Sequence, residues 1–264
     1  MRILIALILT LSNPVPTASA AAPTRAYSIV ESHPHDVRDF TQGLVLHDDT
    51  LIESTGGYGT SQLHFSTIDG TRVKPSIPIG NRFFGEGITV LRERLWQLTW
   101  RAGVGFVYDL DGEREKSFAI GGEGWGLTTD GAQLFMSDGS ELLRRLDPES
   151  GQPIGAVRVR DGDRPVTRLN ELEFIDGKLF ANVWMTDRIA IIDPQSGQVE
   201  SWLDLSELRA RFEPPPDFRE REHVLNGIAW DARRGLLLVT GKCWPRLFVL
   251  RIDGFGPPLH PAVR

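Results

Sequence analysis

One cysteine in 264 residues, Cys243, leaves the chain without an internal disulfide, so its stability must come from packing. A lone thiol of this kind is more often a small buried apolar group than a reactive one. After residue 20 no stretch is apolar and long enough to span a bilayer, so no membrane span is expected. No basic run or stripe offsets the net charge of −6, which removes nucleic acid from the partner classes. A Gly-x-Ser-x-Gly elbow is absent, and the glycine strings "GGYGTS" and "GGEGWG" lack a Walker lysine and a strand-to-helix context, so turns account for them. The six histidines include "HPH" at 33 to 35, but without further ligands at recognisable spacing; the expected metal ligand set is none.

The first twenty residues read as an export leader rather than as part of the fold. Arg2 supplies a positive start, "ILIALILTL" is too short to span a bilayer as a mature helix, and "ASA" before Ala21 has the small-x-small form that signal peptidase cleaves. The expectation is an exported protein, periplasmic or secreted, with residues 21–264 forming a single domain. An apolar content of 41% is ordinary for a globular chain.

Turn residues punctuate the sequence about every ten positions, and the runs between them are short, β-branched and aromatic, the pattern of an all-β chain. The more specific signal is a repeat. "STIDG", "YDLDG", "RRLDPESG", "AIIDPQSG" and "LRIDG" each end an apolar run in aspartate and a turn glycine, with the aspartates at 69, 111, 147, 193 and 253. A period near 40 with room for four strands predicts a five-bladed β-propeller of four-stranded antiparallel blades. The fifth unit is short of a last strand and "AYSIVESHPH" near the start is a spare one, so the N-terminal strand is expected to close the ring and remove its open edges. Within 204–223 lies an insertion containing Pro214, Pro215 and Pro216 and a short helical string, "LSELRARF". It reads either as a solvated surface loop or as a flap over one face.

Aligning the first strand of each unit gives "QGL", "EGI", "WGL", "NEL" and "NGI", which puts Gln42, Glu86, Trp125, Asn170 and Asn226 in one ring at a mouth of the central channel. Five residues on from the leucine that opens each second strand stand Gly56, Trp100, Gly139, Trp184 and Lys242. Because the second strand is antiparallel to the first, its end returns to the same mouth. The two rings together describe apolar walls with a few placed polar groups, the make-up of a small-ligand site. Taken singly, a strand tryptophan is most often packing and an asparagine at the head of a strand most often a turn cap. Agreement across repeats raises the group, with Glu86 and Lys242 foremost, since a charge near a channel is costly unless paired or solvated.

At these same residues the chain resembles the plant-type and bacterial glutaminyl cyclases. The likeness runs through "HPHDVRDFTQGL", "GYGTSQL", "FFGEGITVLRERLWQLTWRAGVGFVYD", "GEGWGLTTDG", "LNELEFIDGKLFANVWMTDRIAIIDPQSG", "LNGIAWD" and "VTGKCWPRLF". It implies a five-bladed propeller, in agreement with the repeat count, and a site made of Phe40, Gln42, Phe84, Glu86, Trp100, Trp125, Asn170, Trp184 and Lys242. Asn226 is added from the ring alignment alone, as a substrate-binding residue. The implied reaction is attack by the α-amine of an N-terminal glutamine on its own γ-carboxamide, releasing ammonia and leaving pyroglutamate. Glu86, Lys242 and Asn170 would be catalytic, and Gln42 and Asn170 would orient the carboxamide. The resemblance implies no cofactor for catalysis, leaves room for a structural ion in the central channel, and implies as partners peptides or proteins that begin with glutamine; a monomer is expected. Two rivals stay open on the residues alone: a metal-dependent, lactonase-like propeller hydrolase using Glu86, Asn170 and Asn226, and a non-catalytic binding module of the cell envelope.

Overall fold

The computed structural model describes residues 21–256; the leader read over residues 1–20 lies outside the described residues. Five four-stranded antiparallel sheets follow one another along the chain. The inner strands are Thr41–His47, Gly85–Leu91, Leu127–Thr129, Leu169–Ile175 and Leu225–Asp231, and each is followed outward by the next strands in chain order. Blade 5 departs from this order as expected: its outermost strand is Tyr27–Pro34, paired antiparallel with Arg246–Ile252. Every second residue of Tyr27–Pro34 is exposed, as suits a strand with one face on a sheet and one in water.

Five apolar clusters fill the junctions between neighbouring blades. Phe65, Ile88 and Phe106 pack blade 1 on blade 2, and Leu98, Leu127 and Leu134 join blades 2 and 3. Phe135, Leu172 and Ala181 join blades 3 and 4, Phe180, Ile228 and Phe248 join blades 4 and 5, and Leu44, Leu238 and Val249 complete the circle. Sheet-on-sheet burial of this kind is the main stabilising term for a chain without cross-links.

Inner strands converge closely, and the glycine of the "QGL", "EGI" and "WGL" motifs makes that approach feasible. A Cβ on Gly43 would come within 2.6 Å of the Ile88 backbone, on Gly87 within 2.5 Å of Leu127, and on Gly126 within 2.0 Å of the Asn170 carbonyl. Blade 4 carries Glu171 at this position instead. Its carboxylate reaches across the channel, accepting from the backbone N–H of Ile228 at 2.8 Å and of Leu44 at 3.3 Å.

The repeat aspartates need one adjustment. In blades 3 and 4, Asp147 and Asp193 accept backbone N–H groups of the turn that follows, as the motif suggests. In blade 2 that role falls to Asp109, two residues before the aligned Asp111, because the turn N–H groups of Asp111 and Glu113 point back to it.

The insertion is anchored by a few side chains, while most of its residues are exposed. A 3-10 helix, Ser206–Arg211, buries Leu208, and Arg209 pairs with Asp187 at 2.8 Å. Phe212 lies 5.0 Å from Trp244 between ring centroids and 6.1 Å from Phe218. No helix among the described residues is long and apolar enough to cross a membrane.

Candidate active site

Four blades repeat one hydrogen bond that ties the two predicted rings together. The N–H of Gly56, Trp100, Trp184 and Lys242 donates to the carbonyl of Phe40, Phe84, Arg168 and Val224 respectively, at 2.8 to 3.1 Å. Each acceptor stands two residues before the ring residue of its own inner strand, so both rings lie at one mouth. The inner strands also slip register where the ring residue falls. Pairing skips Gln42 in blade 1, Glu86 in blade 2, Asn170 in blade 4 and Asn226 in blade 5. A bulge frees a residue from the ladder and re-aims its side chain, here along the channel axis rather than into a blade junction.

Nine of the ten residues expected from sequence line a single cavity of about 270 Å³: Phe40, Gln42, Phe84, Glu86, Trp100, Trp125, Asn170, Trp184 and Lys242. Its walls are aromatic rings set edge to face. Phe84 contacts Phe40 and Trp100 at centroid distances of 6.2 and 5.4 Å, and Trp125 meets Trp184 at 5.7 Å. The two glycines of the second ring make room for these walls: a Cβ on Gly56 would collide with Phe84 at 2.3 Å, and one on Gly139 with Trp125 at 2.7 Å.

Asn226 is the exception. It was expected to bind substrate, yet it is fully buried one layer below the cavity and is not part of its lining. Its Nδ2 donates to the Thr41 carbonyl at 3.0 Å and to Gln42 Oε1 at 3.3 Å. Gln42, so oriented, donates from Nε2 to Glu86 Oε1 at 2.8 Å. Its amide therefore positions the acid while still lining the cavity. Asn226 Oδ1 is left buried and without a hydrogen-bond partner.

Electrostatics single out two groups. Burial holds Glu86, 3% exposed, well above the usual carboxylate range; the charge on Lys242 and the Gln42 hydrogen bond pull it down, while the charge on Glu123 adds to the rise. Burial lowers the Lys242 ammonium to about 8 against the attraction of Glu86. Its Nζ sits 4.9 Å from the centre of the Phe40 ring and forms no ion pair among the described residues. Asn170 Oδ1 is buried and has no hydrogen-bond partner. A buried acceptor left open at a cavity wall is a place for a donor on a ligand.

Two features of the site escaped the sequence reading. Glu123, within the "GGEGWG" string assigned to turns, accepts the indole N–H of Trp100 at 2.8 Å and of Trp125 at 3.0 Å on one oxygen, and Arg101 Nε at 2.8 Å on the other. Burial alone would raise its pKa, and the hydrogen bonds from Arg101, Trp125 and Trp100 outweigh that and leave it lowered. Arg101 also stacks over Trp100 at 3.8 Å. One carboxylate thus fixes two walls. The signal available beforehand was an acid two residues from a ring tryptophan. The second feature is the rim, where Arg221 and Glu222 of the insertion line the mouth. Of the two readings of that segment, the flap over a face is the one its position fits.

Cys243, next to Lys242, has a left-handed backbone (φ 57°) and a half-buried thiol that burial pushes up to about 11. Burial thus disfavours the thiolate, which is the nucleophilic form.

Fold and pocket together define a class: a five-bladed propeller with an aromatic cavity open at one channel mouth, holding an acid, a lysine and an open amide acceptor. Comparison with known proteins makes this particular. A sequence profile for glutamine cyclotransferase matches residues 2–252. A glutaminyl-peptide cyclotransferase of Arabidopsis thaliana is 43% identical over 227 residues, 85% of this chain and 70% of that protein. The crystal structure of Myxococcus xanthus glutaminyl cyclase superposes with a TM-score of 0.79 at 36% identity, covering 88% of this chain and 98% of that one. The chain belongs to the glutamine cyclotransferase family.

Proposed function

We propose that this cavity converts the N-terminal glutamine of peptides to pyroglutamate, with Glu86 as the proton carrier, Lys242 as the group facing the carboxamide and Asn170 as the acceptor that orients the substrate. The activity is that of a glutaminyl-peptide cyclotransferase. The observation that carries the assignment of roles is the pairing of a buried acid of high proton affinity with a lysine lowered to about 8 inside one aromatic cavity.

Nucleophile and electrophile belong to the same residue, so much of the acceleration lies in folding that residue into an attack geometry. Trp100, Trp125 and Trp184, held by Glu123 and by one another, supply the shape. A free α-amine has a pKa of about 7.7 to 8.0 and is mostly protonated near neutrality, when it cannot attack. An ionised carboxylate would stabilise that unreactive ammonium. Burial that raises Glu86 relieves the conflict, because the acid then takes the proton readily and keeps it until the leaving nitrogen needs it.

In the proposed sequence the amine nitrogen loses a proton to Glu86 and bonds to the carbonyl carbon of the γ-carboxamide. Negative charge develops on the carboxamide oxygen, which Lys242 stabilises. Glu86 returns the proton to the amide nitrogen, the carbon–nitrogen bond breaks, ammonia departs, and the lactam remains. Asn170 Oδ1 accepts an N–H of the bound glutaminyl residue throughout. Gln42, fixed by Asn226, keeps the Glu86 carboxyl turned toward the cavity.

Peptides with a free N-terminal glutamine are the substrates that fit, with Arg221 and Glu222 placed to meet the residues that follow. We further propose that the protein is exported, on the strength of the leader-like residues 1–20. The deciding experiment is ammonia release from a glutamine-initiated dipeptide, run beside its N-acetylated analogue. Release from the first alone is expected. Retention of the dipeptide without ammonia would instead favour a binding module, and release abolished by a chelator with the melting temperature unchanged would favour metal-dependent chemistry.

A further inference from the structure

The "HPH" string, set aside for want of ligands at a suitable spacing, finds them in space. We propose that His35, Asp39, Glu53 and His64 form a binding site for a first-row divalent transition metal of the zinc type, at the junction of blades 5 and 1 and separate from the substrate cavity.

Ligand atoms of His35, Asp39 and Glu53 all lie within 4.8 Å of one another. His35 Nε2 stands 3.2 Å from both Glu53 oxygens, and His64 Nε2 stands 3.0 Å from Asp39 Oδ1. Glu53 and His64 are directly opposite each other on adjacent strands of blade 1, which sets His64 beside the three-residue cluster, against Asp39. Tetrahedral ligands bound to zinc at about 2.0–2.2 Å are separated from each other by roughly 3.3–3.5 Å, so the three-residue cluster must contract and His64 must turn inward to complete the shell.

The donors are already oriented by partners on their far sides. His35 Nδ1 lies 2.8 Å from the Trp244 carbonyl, which can only accept; the ring proton is therefore on Nδ1, and Nε2 faces the carboxylates. Glu53 Oε1 accepts from the Thr41 hydroxyl at 2.7 Å, and His64 Nδ1 is within 2.6 Å of Ser76 Oγ. An outer layer that fixes tautomer and ring plane is a recurrent feature of protein metal sites. A nitrogen lone pair cannot rest against a carboxylate without something positive between them, and either a second proton or a cation meets that need. Arg72, 3.3 Å from Asp39 Oδ2, occupies the oxygen turned away from His64, and Asp36, Arg38 and Asp69 line the same cleft.

Donor chemistry narrows the ion. Two imidazoles and two carboxylates suit zinc, cobalt or nickel, whereas calcium takes six to eight oxygens and magnesium keeps its water. Access is provided by a cleft of about 860 Å³ lined by all four side chains. The position suggests a structural task. Asp39 also accepts the Cys243 N–H on its carbonyl at 2.8 Å, and His35 holds Trp244, so the cluster grips the turn that follows Lys242 while standing just beyond the closing strand.

The test uses the purified protein stripped with a chelator and dialysed free of it. Zinc chloride is titrated calorimetrically, and cobalt chloride is followed by visible absorption. One zinc per chain is expected, with the intense visible bands of tetrahedral cobalt and no competition from calcium. His35→Gln or His64→Gln should each weaken zinc binding at least about tenfold. His47→Gln, at the far end of the inner strand of blade 1, should leave it unchanged. Should His35→Gln fail to fold, the cobalt spectrum of the unaltered protein and the His64→Gln titration still decide. Absence of stoichiometric zinc binding, or binding indifferent to both substitutions, would overturn the proposal and leave the cluster as two proton-filled ion pairs. None of these readouts measures cyclisation, so this inference and the assigned activity can fail separately.

Discussion

Glu86 and Glu171 are both buried on inner strands, one position apart in the repeated motif, and burial raises the proton affinity of both. They differ in what surrounds them. Glu171 spans the channel and is held by two backbone N–H groups from blades 1 and 5. Glu173, further along the same strand, takes the Trp230 N–H at 3.1 Å and is raised to about 8 by burial. Glu86 instead faces a cavity, touches a side-chain amide that is itself positioned, and shares its space with a lysine. The lesson is that a perturbed acid marks a functional site only when open volume and movable partners come with it; a carboxylate that ties strands together is equally perturbed and does structural work.

The sharpest test of that contrast is Glu86→Gln, which keeps the size and the contact with Gln42 and removes the transferable proton. Turnover should fall about 10²- to 10⁴-fold with a melting temperature close to that of the unaltered protein, read by ammonia release and calorimetry. Normal kinetics would return Glu86 to the structural class. Glu171→Ala should give the opposite pattern. Two N–H groups lose their acceptor and a cavity opens, at a cost of about 2–4 kcal/mol in denaturant unfolding, while kcat/KM of the folded enzyme stays within a few-fold.

Lys242→Met should lower kcat by roughly 10²-fold if Lys242 stabilises the oxyanion. The group titrates at about 8, so activity of the unaltered protein should decline as pH rises through that value, and Lys242→Arg should shift the decline to higher pH. Glu123→Ala frees the indoles of Trp100 and Trp125 and should raise KM about 5- to 30-fold with a smaller change in kcat. Equal effects on both would mean that Glu123 acts on the chemistry, through the charge it directs at Glu86.

The smallest effect is the stability of the channel acids against pH. Glu173 has a folded pKa of about 8 against an ordinary value of 4.5, so the unfolded chain releases its proton first. Its contribution is complete below about 4.5 and is lost as pH climbs to about 8, and the melting temperature should decline across that window. Glu173→Gln should flatten the slope.

Much of this contrast was legible in the sequence, and the reasons are physical. The blade count, the closing strand and the two rings follow from a period that repeats with its turn chemistry, and the ring residues came out at one mouth because strand alternation and antiparallel return are rigid constraints; Phe40 and Phe84 were reached only through the family resemblance. Asn226 misled because the repeat fixes which way a residue starts but not its depth: in blade 5 the side chain turns under Gln42 instead of into the cavity. Glu123 was hidden in a glycine string, where nothing marks an acid that will bridge two indoles. The His35 cluster lay beyond reach for a related reason, since its members are scattered over thirty residues and meet only after blade 1 folds against blade 5. Asp111 shows the limit of string alignment, as the capping acid of that turn is Asp109.

The strand Tyr27–Pro34 precedes every other strand of the fold and is the last to find its place, because its partner Arg246–Ile252 is the last strand of the fold in chain order. Until then the nascent ring has an unsealed seam and Lys242 has no fixed neighbour across it. Trimming either terminus would reopen the same seam, so proteolysis at opposite ends of the polypeptide should yield one phenotype: blades intact, pocket sprung.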